Sequence, residues 1–251
     1  MRRLHGIIGV LIILVSLSSF FLPIYKEELL LKSQLQGQDI VTIFVGIFLI
    51  CISFVKSEKS EIIKLGLIFY TAYTYLFLAL SLKLNLYFQL YLIISVLSLI
   101  EMRRGVSSLL YENFIIVDKK TLRICNFYLI VMAIVIFALW NTNIMMNIIK
   151  DPILLNPINP TFTVIFVFDL CFIVPLIVFI MRLNRIGKSV GTSLMGALLI
   201  KMITMGLSLV FKSLTIVIYG LSFDIGLIVF WICMTVVGGL AFKFYWKNLL
   251  Y

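Results

Sequence analysis

The sequence predicts an all-α fold: a polytopic integral membrane bundle of about eight transmembrane helices, with the whole chain, 1–251, as a single transmembrane domain. Three observations predict it. Hydrophobic residues make up 63% of the chain and charged residues only 13%, where a soluble domain has roughly half and one quarter. The apolar residues come in long blocks, and mean hydropathy is +1.17, as a bilayer solvent demands. The charges fall in short clusters between those blocks, dense in one loop and sparse in the next.

A span needs about 20 apolar residues. The blocks that meet this are 6–24, 40–55, 62–82, 86–102, 124–140, 162–181, 190–211 and 225–243. The first follows Met1, Arg2 and Arg3 as a signal peptide would. Its apolar stretch is longer than an h-region, it lacks a small-x-small cleavage site and it ends SSFFLPIY, so it reads as a retained span. The second is the shortest and reaches back toward Gly37, Gln38 and Asp39. Seven spans is the alternative count, if 86–102 or 225–243 fails.

Loop charge sets the orientation. With the N-terminus inside, fifteen of the 21 Lys and Arg residues lie in cytoplasmic segments, and Lys26, Lys32, Lys83, Lys150 and Lys212 lie outside. Lys201 falls within a span. Positive residues stay on the cytoplasmic side, so the expectation is a multi-pass protein of the cell membrane with both termini cytoplasmic. The same pattern accounts for the formal charge of +10 and removes nucleic acid from the expected partners. The outer segment NTNIMMNIIKDPILLNPINPT holds three of the five prolines and reads as turns along the interface. The inner segment YENFIIVDKKTLR mixes apolar and charged residues and reads as an interfacial piece.

Little points to catalysis. Cys51, Cys125, Cys171 and Cys233 lie in apolar blocks without a C-x-x-C pair, and His5 is the only histidine. There is no H-E-x-x-H, no G-x-S-x-G, no second intramembrane aspartate and no Walker A loop. No catalytic residues, metal or cofactor are therefore expected. A lysine with an aspartate also suggests a retinal Schiff base and its counter-ion, but the span count and the lack of Trp in both spans oppose it.

Two ionisable residues sit at membrane depth, Asp169 in VIFVFDLCFIVP and Lys201 in GALLIKMITMG. Such groups cost about 2.5–3.5 kcal/mol on insertion scales and face a partner or a cavity. The two depths agree within about 4 Å at a rise of 1.5 Å per residue, and the spans are consecutive. A salt bridge between them is expected, direct or through one polar group such as Tyr73. A third group is favoured because helix side chains lean toward the N-terminus, sending Asp169 outward and Lys201 inward. Tyr70 and Tyr73 of YTAYTY and Asp39 at the mouth of the second span gather at similar depth, while the inner halves are plainer apart from Glu101 beside Arg103 and Arg104. This predicts an outward-facing, partly wet cavity whose ligand-binding or ion-pair residues are Asp169, Lys201, Asp39, Tyr70 and Tyr73. The plainer readings are a headgroup belt for Asp39 and Tyr87 and a purely structural Asp169–Lys201 bridge. Pro175 marks a kink, and Gly196, Gly206, Gly238 and Gly239 read as close-packing positions.

GQDIVT at 37–42, YTAYTY at 70–75 and FDLCFIVP at 168–175, followed by the intramembrane lysine, resemble a family of prokaryotic multi-pass proteins. Its members carry G-Q-D-apolar-V-T, a tyrosine-rich third span and D-L-x-x-x-x-P, and no function is assigned to it. The resemblance implies that Asp39, Asp169 and Lys201 are shared positions, and it implies no activity. The expected function is transport or binding of a small-molecule ligand, with the lipid bilayer as the surrounding partner. A membrane sensor or accessory subunit beside a partner membrane protein is the alternative, and an intramembrane enzyme fits less well.

Overall fold

In the computed structural model, long apolar runs become helices, and several of them end where the sequence supplies a cap or a breaker. The structure describes residues 2–25, 27–82, 84–111, 116–150, 160–222 and 224–250. Helices α1 (Arg2–Ser18), α2 (Leu29–Ser53), α3 (Glu58–Ser81), α4 (Phe88–Tyr111) and α5 (Lys119–Lys150) come first. Then α6 (Pro160–Phe168) runs through a π-helical turn, Asp169–Ile173, into α7 (Val174–Arg185), followed by α8 (Ser189–Ile218) and α9 (Ile225–Lys247). The rod from α6 to α7 is continuous, so the described residues form eight helices.

Local chemistry explains the ends. Ser57 and Ser60 form a reciprocal capping box at the start of α3. Asp224 caps α9 by accepting from the Gly226 N–H at 2.8 Å. Gly187 and Gly220 adopt φ of 72° and 71° just past α7 and α8, the left-handed conformation that ends a helix. Pro175 has no N–H to offer the Cys171 carbonyl. The turn before it widens, and the Val174 N–H bonds to the Asp169 carbonyl five residues back. The expected kink is thus a π turn that begins at Asp169.

Six helices are long and apolar enough to cross a membrane: α2, α3, α5, the α6–α7 rod, α8 and α9. Helix α1 is shorter, at 17 residues, and α4 has the length but carries Glu101, Arg103 and Arg104. Several span boundaries move. Helix α2 begins eleven residues before the expected 40, because LLLKSQLQ contains no helix breaker and buries Ser33, Leu35 and Gln36. Helix α5 continues ten residues past 140, so NTNIMMNIIK is helical rather than a turn. Residues 151–159 of that outer segment lie outside the described residues. Lys32 and Lys212, expected in loops, sit on α2 and α8.

Helix α8 is the central post and packs on α2, α3, α7 and α9. Helices α1 and α4 cover one flank, with α1 against α2 and α4 against α3; α5 and α9 cover the other. The centre is buried, whereas α9 displays Val229, Val236, Leu240 and Phe244 outward, as a lipid-facing helix does. Gly206 meets Thr235 of α9, and Gly238 leaves 2.5 Å between a would-be Cβ and the Tyr128 hydroxyl. Gly239, expected to pack closely, faces open space instead.

One end of the bundle collects several loops. Ile116 and Val117 (β1), before α5, pair antiparallel with Leu250 and Leu249 (β2), after α9. The inner segment expected to lie on the interface is thus tied in part to the C-terminal end, while its residues 112–115 lie outside the described residues. At the same end His5 Nε2 approaches Glu101 Oε2 at 3.4 Å. An even number of antiparallel helices brings these segments together.

Candidate functional site

The five residues singled out in the sequence separate into two places. Asp169, Tyr73 and Lys201 line a cavity of about 130 Å³ bounded by α3, α5, the start of the π turn, α8 and α9. Asp39 and Tyr70 sit outside that lining, in a packed polar network against α1 and α2.

At the cavity, both oxygens of the half-buried Asp169 carboxylate accept hydrogen bonds. The Tyr73 hydroxyl donates to Oδ1 at 2.8 Å, and the Trp140 indole N–H donates to Oδ2 at 2.8 Å. Phe168 steadies the tyrosine edge-on, with ring centroids 5.6 Å apart. Lys201 is 2% exposed. Its ammonium lies over the Tyr73 ring, 4.3 Å from the centroid, and 5.9 Å from that of Phe69. Among the described residues no direct ion pair joins Asp169 to Lys201. The connection runs through Tyr73, whose hydroxyl serves the carboxylate and whose face serves the ammonium. The geometry follows from the opposed lean of the two side chains.

Lys201 has no hydrogen-bond acceptor among the described residues. A cation–π contact is worth up to about 2 kcal/mol when desolvated, and it leaves three N–H donors unused. Lys212, three turns along α8, is half-buried, lines the same cavity and lies 5.8 Å from the Phe77 centroid. It too has no acceptor among the described residues. The Thr74 hydroxyl, also in the lining, is buried without a partner among the described residues. The remaining wall is mainly apolar, with methionines, leucines and Trp231 prominent in it.

Asp39 differs from its expected position. It lies ten residues into α2, roughly 15 Å from the start of the helix, and is 3% exposed. The early start of α2 draws it into the bundle, where the Tyr25 hydroxyl donates to Oδ2 at 2.7 Å. Tyr70 is fully buried, its hydroxyl 2.7 Å from Ser208 Oγ and 3.1 Å from Thr42 Oγ1. Tyr75 contacts Ser16 at 3.3 Å, and Tyr219 bonds to Gln36. This network ties α1, α2, α3 and α8 together and leaves Gln38 at the cavity edge.

The inner end is less plain than expected. Lys64 is 2% exposed and bonds to the Val55 carbonyl at 2.9 Å and to Glu61 at 2.7 Å. Arg104 pairs with the buried Glu101 at 2.7 Å. These contacts satisfy charges at a helix-packing seam. Among the described residues no three His, Cys, Asp or Glu side chains come together as a metal site.

Sequence reasoning missed Trp140, Lys212 and Gln38. Lys212 was legible in one respect, because it follows Lys201 by eleven residues, about three turns at 3.6 residues per turn. No family model matches the chain, and neither a curated protein nor a solved structure matches it.

Proposed function

We propose that the chain crosses the cell membrane eight times, with both termini cytoplasmic, and binds a small solute in the cavity beside Lys201 as a transporter does. The observation that carries this is a fully buried lysine without an acceptor among the described residues, facing a cavity that also holds Asp169 and Lys212. Buried polar groups are ordinarily satisfied, and an ionisable group at membrane depth marks a solute pathway or its counter-charge. The π turn at Asp169, ahead of Pro175, supplies a place where the α6–α7 rod can bend.

The orientation draws support from the loop charges and from the pairing of the α4–α5 connection with the segment after α9. Cysteines placed at Asn147 and Arg185 in a background lacking the native four test it. An impermeant thiol reagent should label position 147 in intact cells and position 185 only after permeabilisation; the reverse would refute the orientation.

Solute binding is tested on purified protein with a panel of small anions, cations and neutral solutes, read as a rise in unfolding temperature. A Met205→Trp variant fills the cavity and serves as the control. A solute that stabilises both proteins equally would refute the cavity as its site. A sensor or accessory subunit without transport is the second reading. It is favoured by close packing beside the cavity, where a Cβ on Gly66 of α3 would stand 2.6 Å from the Ala197 carbonyl of α8. Uptake into proteoliposomes separates the two readings, since a sensor binds the solute and accumulates none.

A further inference from the structure

We infer that the cavity selects a small organic carboxylate, its charged end on Lys201 and its apolar body against the methionine, leucine and tryptophan side chains of the wall. This rests on the reading of the cavity as a binding site and adds the chemical class of what it takes.

The charge balance comes first. The titratable groups of the lining at Lys201, Lys212 and Asp169 carry a formal +1 at neutral pH. Asp169 is not the acceptor, because its carboxylate turns to Tyr73 and Trp140 and, among the described residues, makes no ion pair with Lys201. One further negative charge neutralises the site. A carboxylate supplies one, whereas a phosphate monoester carries about two at neutral pH.

Donor count points the same way. The three N–H groups of Lys201 and the buried Thr74 hydroxyl offer hydrogen to a cavity whose carboxylate is held by Tyr73 and Trp140. What enters must accept more than it donates, and a carboxylate has two oxygens and no donor. A cationic or donor-rich solute would meet an unpaired ammonium.

Size and wall set the remainder. A cavity of about 130 Å³ is close to the roughly 150 Å³ of an engineered cavity that holds benzene. On α8, Lys201, Met205, Leu209 and Lys212 fall along one stripe at helical spacing, so the apolar wall runs between two cations. Lys201 is fully buried at one end, and the half-buried Lys212 stands about 16 Å along the helix axis. The inner lysine binds the carboxylate, and the more open one draws anions toward it.

The experiment uses the purified full-length protein in detergent and three probes that share one ring: benzoate, benzyl alcohol and benzylammonium. Thermal unfolding is followed against probe concentration. Benzoate should raise the unfolding temperature saturably, and benzyl alcohol and benzylammonium should bind at least about tenfold more weakly, as loss of a charged hydrogen bond requires. Lys201→Met should weaken benzoate by about tenfold or more and leave benzyl alcohol unchanged. Should that variant fail to fold, the charge series on the unaltered protein decides by itself. Equal binding of benzoate and benzyl alcohol, or a preference for benzylammonium, overturns the anion assignment while the cavity remains a binding site. Binding of none of the three overturns the carboxylate, and equal stabilisation of Met205→Trp by any of them removes the cavity as the site.

Discussion

Tyr73→Phe removes one hydroxyl from the cavity wall and leaves the ring beneath Lys201 in place. The bond lost is the 2.8 Å contact to Asp169 Oδ1, a hydrogen bond to a charged acceptor and so worth about 1.5–3 kcal/mol. Asp169 keeps Trp140 on its other oxygen, and Lys201 keeps an aromatic face at the same position, so no second loss adds to the first. In an Asp169→Asn background the same change breaks only a neutral bond, about 0.5–1.5 kcal/mol. A double-mutant cycle should therefore return a coupling of about 1–1.5 kcal/mol between the two positions. Far-UV circular dichroism of denaturant unfolding in mixed micelles measures all four proteins. For a chain of this size a loss of about 2 kcal/mol corresponds to roughly 4–8 °C in unfolding temperature. Additive single effects would refute the bond, and with it the account of Tyr73 as the group joining carboxylate to ammonium.

The unliganded protein should respond oppositely to its two charges. Asp169→Asn should destabilise by about 2–3 kcal/mol because two donors lose an ionic acceptor, whereas Lys201→Met should be neutral or stabilising because it removes a buried ammonium that has no acceptor among the described residues. Comparable losses of about 3–5 kcal/mol in both would indicate a direct bridge instead. Gly66→Leu should destabilise by about 1–3 kcal/mol through overpacking against Ala197, while Gly239→Ala, in open space, should be neutral or stabilising by up to about 1 kcal/mol; chemical denaturation of the pair checks both signs. Asp118, at the exposed start of α5, has its pKa lowered by hydrogen bonds from Thr121, with backbone N–H groups of Thr121 and Lys120 adding to the effect. A depressed carboxylate contributes stability above its unfolded pKa and loses it as pH falls through the lower folded value. Stability of Asp118→Ala against the parent should thus converge in acid; a gap that persists at the lowest pH would contradict the cap.

The helical membrane character was legible in the sequence because it depends on local composition. A run of apolar residues in a bilayer must satisfy its own backbone, so block length already implies helix, and α3, α6–α7, α8 and α9 start within four residues of the expected positions. Element ends were less legible where polar residues continue a helix by packing on neighbours. Gly37, Gln38 and Asp39 read as a polar entry to a span, yet each is buried in α2, where Tyr25 of the α1–α2 connection donates to Asp39. Asp169 and Lys201 announced themselves, since charge in oil demands a partner, and their depths followed from helical rise. What partner each found was a matter of tertiary structure alone. The carboxylate met Trp140, 29 residues away in sequence, and Tyr73, 96 residues away, and no local spacing encodes which faces of α3, α5 and the π turn converge. The ammonium of Lys201 was left with an aromatic face and a cavity, and Lys212 passed from a presumed loop to the cavity wall because α8 continues seven residues beyond the expected end. Charge and depth are properties of the residue and its helix; satisfaction is a property of the neighbours, which only the packed bundle supplies.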